Sequence, residues 1–209
     1  MQKTVKQLMG GILLAALLWF FMFSPWTSPL VGNFWVMMAF AATGLAAYAT
    51  SVCPEWMDDV HITVPEVLLG CVMAAAFWGV FWVGDKLSQM LFPFARGEVD
   101  LIYTLKGGSN LVKIALLLLF LIGPAEEIFW RGFVEKRLIS RIGKWGGWAL
   151  ATAIYALVHI WSMNFMLVMA ALVIGALWGF IYMMWPKHLG AIIVSHALWD
   201  VAAFVVFPF

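Results

Sequence analysis

Three short stretches of the 209-residue chain place ionisable side chains within apolar sequence. Each such group costs about 2.5–3.5 kcal/mol at the centre of a membrane helix, so it needs a partner or a chemical purpose. Carboxylates and imidazoles are also side chains that move protons in general acid–base catalysis. The three motifs read EEIFWR at 126–131, YALVH at 155–159 and HALWD at 196–200.

Helical geometry separates the two glutamates of the first motif. Side chains four residues apart lie about 40° apart around a helix, so Glu127 and Arg131 share a face and are predicted to form an ion pair. Glu126 lies about 140° from Arg131, which leaves this carboxylate available for chemistry. The alternative is a structural charge cluster that holds helices together.

The other two motifs each place a histidine one helical turn from a second functional group. Tyr155 and His159 share a face, and the alternative to a functional role is a core histidine, which still needs a hydrogen-bond partner. The His196/Asp200 pair can orient an imidazole or bind a metal, or it can form a polar clasp between helices. A single polar cavity shared by the three motifs explains all of these residues at once.

Composition predicts an integral membrane protein. Hydrophobic residues make up 65% of the chain and charged residues 11%, whereas soluble domains have about 45–50% apolar and about 25% charged residues. A soluble fold of this length has too little interior to bury so much apolar surface. The formal net charge of +1 gives no indication of nucleic-acid binding.

Seven stretches have the length and apolar character of a membrane span, which needs about 20 residues. Lys and Arg residues in the N-terminal segment, in the loop after the fourth span and at position 187 favour a cytoplasmic N-terminus, although the third loop, 85–112, opposes it. The predicted fold is therefore an all-α polytopic transmembrane helix bundle of about seven spans, N-in. The predicted spans are 7–23, 31–52, 67–84, 113–134, 147–162, 165–185 and 189–207.

The ordered set of motifs resembles the CAAX protease and bacteriocin-processing family, also called the Abi family, which includes the type II CAAX prenyl endopeptidases. The resemblance covers about residues 111–209 and implies a protease-like core there. Residues 1–110 are then expected to be variable N-terminal transmembrane helices and a loop, within one integrated membrane domain.

The resemblance also implies a water-mediated attack on a peptide bond. Glu126, as general base, and His159 would polarise the water. His196 and Asp200 would stabilise the oxyanion. The supporting residues would be Glu127, Arg131 and Tyr155.

Asp200 departs from the family pattern, because the prenyl proteases have Asn at the matching position. A carboxylate cannot donate a hydrogen bond to an oxyanion unless it is protonated. Burial can keep a carboxylic acid neutral. Alternatively, Glu126, His159, His196 and Asp200 together would bind a divalent metal such as zinc. The chain lacks an HExxH motif, and we expect no essential metal.

The favoured function is an intramembrane endopeptidase that acts on membrane-associated peptides or proteins. A proton-coupled membrane transporter is an alternative, since buried carboxylates and histidines also form proton relays. A non-catalytic immunity or binding protein on the same scaffold is another. The expected partners are membrane lipid and a peptide or protein substrate, and the expected location is a prokaryotic plasma membrane.

Overall fold

The computed structural model describes residues 2–209, and over this range the chain is helical without strands. The first two long helices are α1, Gln2–Phe23, and α2, Phe34–Val52. A short 3-10 turn, Ser28–Leu30, lies between them. Asn33 then starts α2, because its side-chain oxygen accepts a hydrogen bond from the free backbone N–H of Val36.

Much of the predicted third loop is helical. Helix α3, Val64–Leu91, is about 42 Å long at 1.5 Å per residue and continues well beyond the predicted end of the third span. Its polar last turns are stabilised locally, since Asp85 accepts a hydrogen bond from Gln89 at 2.7 Å. A separate short helix, α4, Ala95–Thr104, follows.

The fourth predicted span lies within an unbroken helical run over residues 111–142 that contains two π-helical segments. Pro124 has no backbone N–H to donate within the helix, which accounts for the irregular pattern just before it. π-helical turns of this kind are frequent at functional sites. The run comprises α5, Leu111–Leu117; a π segment, Leu118–Ile122; α6, Gly123–Phe129; a second π segment, Trp130–Glu135; and α7, Lys136–Ile142.

The remaining helices agree with the predicted fifth, sixth and seventh spans. They are α8, Lys144–Val158, extended by a 3-10 turn, His159–Ser162; α9, Phe165–Met184; and α10, Leu189–Val201, extended by a π segment, Ala202–Val206. Helix α10 packs against both α3 and α6, and α8 packs against α9 and against the second π segment, which continues α6. These contacts bring the helices that carry the three motifs together.

The prediction of an all-α membrane bundle is confirmed, and the chain is an integral membrane protein. Within residues 2–209, five helices are long and apolar enough to cross a membrane. The other two predicted spans are helical but do not meet this length criterion, because the helix of 113–134 is interrupted and that of 147–162 is short. The total of seven spans and the N-in orientation therefore stay predictions. The five are Gln2–Phe23, Phe34–Val52, Val64–Leu91, Phe165–Met184 and Pro186–Val206.

Candidate functional site

A cavity of about 620 Å³ lies between the helices, and we call it the central cavity. Its walls are mainly apolar side chains from both halves of the chain. All four candidate catalytic residues reach it, as does Tyr155, so the single polar site inferred from the three motifs has a common chamber. The residues in question are Glu126, His159, His196 and Asp200.

Glu127 lies behind the cavity wall at the centre of a buried ionic network. Its side chain is fully buried, and the predicted ion pair is present, with Arg131 Nη1 donating to Glu127 Oε1 at 2.8 Å. The same oxygen lies 2.6 Å from Nδ1 of His196. Arg131 also donates to the backbone oxygen of Gly175 at 3.2 Å. One carboxylate oxygen thus connects the first motif to the third.

Gly123 permits this connection by letting α6 approach α10 closely. A Cβ atom at this position would lie 2.9 Å from Cα of Ala197, nearer than an ordinary van der Waals contact. Any larger side chain would therefore separate the two helices. Glu127, one turn along α6, could then no longer reach His196 on α10.

The His196 imidazole is fixed on three sides. Its ring stacks on Trp178, with centroids 4.0 Å apart and planes 20° apart, and Trp178 is in turn held by donating to Oγ of Ser195 at 3.0 Å. Nδ1 faces Glu127, while Nε2 lies 3.4 Å from Oδ2 of Asp200. The imidazole therefore lies between two carboxylates, and the nearer one comes from another helix.

Glu126 has surroundings different from those of its neighbour Glu127. Its side chain lines the central cavity and accepts a hydrogen bond from Oη of Tyr155 at 3.3 Å. The Tyr155 ring also lies against the guanidinium of Arg131, 5.0 Å from the ring centre. Glu126 is thus oriented by a phenol, whereas Arg131 forms its ion pair with Glu127.

His159 has both ring nitrogens occupied. Nδ1 donates to the backbone oxygen of Tyr155 at 2.8 Å, and Nε2 accepts from the indole Nε1 of Trp19 at 3.0 Å. Sequence reasoning missed Trp19, which lies in α1, and missed Trp178. A signal did exist: an indole N–H in the middle of an apolar span usually has an acceptor when buried.

The four candidate metal ligands do not fit a divalent ion in this arrangement. Both nitrogens of His159 bond protein atoms, and Nδ1 of His196 lies 2.6 Å from Glu127. Only Nε2 of His196, 3.4 Å from Asp200, is then left for a metal. Among residues 2–209, no group of three His, Cys, Asp or Glu side chains is arranged to hold a metal.

Helix α4 lies beside the central cavity. Side chains of α4 and of the residues just after it donate hydrogen bonds to the π segment that extends α10. Tyr103 donates to the backbone oxygen of Ala203 at 3.0 Å, and Lys106 donates to that of Phe204 at 2.9 Å. Burial raises the pKa of the Tyr103 phenol and lowers the pKa of the Lys106 ammonium. The predicted third loop therefore supplies part of the cavity wall.

Residues 108–202 match the family model described as Type II CAAX prenyl endopeptidase Rce1-like. Comparisons with curated proteins and with solved structures found no match. The matched range contains all three motifs, whereas Trp19 and the cavity residues of the N-terminal helices lie outside it. This match over residues 108–202 of the membrane protein confirms the family resemblance that the three motifs indicated.

Proposed function

We propose that the chain is an intramembrane endopeptidase that hydrolyses a peptide bond with water activated by Glu126. The observation that carries this proposal is the common chamber, since Glu126, His196 and Asp200 all line one largely apolar cavity. The family match supports a protease but leaves its mechanism open.

Glu126 is the proposed general base. It takes a proton from a water molecule as the water oxygen attacks the carbonyl carbon of the substrate, and the same proton then passes to the leaving amine as the C–N bond breaks. Tyr155 donates to one carboxylate oxygen and so orients the group. An apolar, water-poor chamber strengthens such proton transfer, because few other dipoles compete for the carboxylate.

His196 and Asp200 are the proposed oxyanion-binding pair. An ionised carboxylate only accepts hydrogen bonds, so Glu127 Oε1 accepts from His196 Nδ1 as well as from Arg131. The Nε2–Oδ2 separation of 3.4 Å to Asp200 is longer than an ordinary hydrogen bond. A proton held between these atoms can turn toward a developing oxyanion. This arrangement supplies a donor even though Asp200 replaces the family's Asn.

The proposed substrate is a membrane-associated peptide or protein with an apolar segment or an apolar lipid modification beside the scissile bond. The central cavity is large enough for such a chain, and its aromatic walls suit apolar rather than charged groups. We further propose that the enzyme acts in a prokaryotic plasma membrane. Aromatic residues of the wall include Phe23, Phe34, Trp35, Phe81, Trp199 and Phe204.

The test compares Glu126→Gln with Glu135→Gln in purified protein reconstituted into lipid nanodiscs. Glu135 is a buried carboxylate of the same helical run but does not line the central cavity. Cleavage of quenched fluorescent peptides, with and without an isoprenyl chain, is measured. We expect Glu126→Gln to lose at least about 10²-fold in kcat/KM, the lower range for a general base, and Glu135→Gln to stay near wild type.

The natural substrate is sought by comparing the N- and C-termini of membrane proteins between cells that carry wild type and cells that carry Glu126→Gln. Termini that disappear in the variant identify cleaved proteins. Normal cleavage of a verified substrate by Glu126→Gln would contradict the assignment of the base.

A further inference from the structure

Trp19 occupies the one lone pair that His159 has available. A carbonyl oxygen only accepts hydrogen bonds, so His159 Nδ1, which contacts the Tyr155 carbonyl, carries the ring hydrogen. Nε2 is then the acceptor, and the Trp19 indole N–H fills it at 3.0 Å. While this bond is formed, His159 cannot accept a hydrogen bond from water or from a substrate amide at that nitrogen.

The contact is part of a packed arrangement. Trp19 is fully buried, and its ring meets both His159 and Trp130 edge-on, with centroids 5.9 Å and 6.2 Å away. Phe23, one turn further along α1, also lies against the imidazole at 5.8 Å. Side chains of helix α1 therefore pack closely around His159, although α1 lies outside the segment that matches the family.

We propose that Trp19 is a releasable cap on His159. The hydrogen bond from the Trp19 indole to Nε2 must break before the imidazole can help to polarise the attacking water. This inference rests on the proposed function and on the role in polarising the water that the family resemblance implies for His159. Trp19 acts through His159 and is a positioning residue that touches neither the water nor the peptide bond. Through this hydrogen bond, helix α1 determines the fraction of time for which His159 Nε2 is free to take part in catalysis.

The size of the effect follows from the strength of one neutral hydrogen bond. Releasing such a bond within a protein shifts an equilibrium by roughly two- to tenfold. A variant that lacks the indole N–H but keeps an aromatic ring should therefore expose Nε2 more often by about that factor.

A matched pair of variants tests the cap. Trp19→Phe removes an N–H that has an acceptor, whereas Trp130→Phe removes an adjacent buried indole N–H that has no partner among the described residues. The first readout does not depend on activity. Each protein in nanodiscs is treated with diethyl pyrocarbonate, which modifies free imidazole nitrogens. The rate at which His159 is modified is then measured by mass spectrometry. Exposed His61 is the internal reference.

We expect Trp19→Phe to speed modification of His159 relative to His61 by about two- to tenfold, and Trp130→Phe to match wild type. An unchanged His159 rate in Trp19→Phe, or an equal increase in Trp130→Phe, would overturn the cap. Should Trp19→Phe fail to fold, 3-benzothienylalanine is incorporated at position 19 instead, because it keeps the bicyclic shape and replaces the N–H with sulfur.

The second readout is peptide cleavage. Trp19→Phe should raise kcat by the same factor with KM unchanged, and a lower kcat would show that Trp19 assists His159 instead of capping it, which refutes the proposal. Faster labelling of His159 with no cleavage by any variant, wild type included, would refute the proposed protease function while leaving the bond between Trp19 and His159 established.

Discussion

Replacing Gly123 with alanine tests whether the close approach of α6 and α10 is what assembles the site. The added Cβ would lie 2.9 Å from Cα of Ala197 and 3.1 Å from its backbone nitrogen, so the conflict is with rigid backbone. An ordinary contact starts near 3.4 Å. The two helices must therefore separate by roughly 0.5–1 Å to regain normal packing.

This separation acts directly on the bond between Glu127 and His196, which is 2.6 Å long. Lengthened by roughly 0.5–1 Å, it approaches or passes the limit of a useful hydrogen bond. Hydrogen bonds to charged groups contribute about 1.5–3 kcal/mol, so kcat should fall about 10- to 100-fold. KM should change less, because the apolar walls of the central cavity stay in place.

The assay measures kcat and KM for Gly123→Ala beside Gly44→Ala, a helical glycine of α2 with nothing within 4 Å of its added Cβ. Thermal unfolding in detergent reports whether each variant is folded. A folded Gly123→Ala protein with wild-type kcat would refute the claim that this helix contact sets the position of His196.

Three other predictions concern the ionic network and its chemistry. Asp200→Asn should keep kcat within about tenfold of wild type, because an amide also supplies a donor at this position, whereas Asp200→Leu should abolish cleavage. A divalent-metal chelator should leave the cleavage rate unchanged, because no three His, Cys, Asp or Glu side chains among residues 2–209 are arranged to hold a metal; loss of activity that zinc restores would contradict this. Arg131→Met should cost about 3–5 kcal/mol of stability, because it leaves the Glu127 carboxylate buried without its cation. Adding Glu127→Gln should recover part of that loss in denaturant unfolding, and a double variant less stable than Arg131→Met would refute the pairing.

Sequence periodicity predicted side-chain contacts well where both partners lie on one helix. The Glu127–Arg131 pair follows from the spacing of four residues and is present at 2.8 Å. The same rule emphasised Asp200 as the partner of His196, yet Glu127, 69 residues away, is the nearer carboxylate. Contacts between helices depend on close-packing positions such as Gly123, which spacing along one helix does not report.

The N-terminal half was predicted less fully for a related reason. Apolar length located its spans, but it could not show that α4 and the end of α3 line the cavity, because polar residues there suggested a loop. Trp19 looked like any other apolar residue of a membrane helix. Its role depends on an acceptor 140 residues further along the chain.

The two adjacent glutamates of the first motif differ in their surroundings: one fits the structural explanation of the motif, and the other fits the chemical one. Successive helical residues point about 100° apart, so Glu126 and Glu127 must meet different surroundings. Glu127 is fully buried and engaged with Arg131 and His196, which makes it the structural carboxylate. Because Glu127 satisfies the buried cation, Glu126 is left facing the central cavity with a phenol as its orienting partner. In the proposed mechanism, the paired charge behind the wall leaves Glu126, which has no cation beside it, able to act as the base.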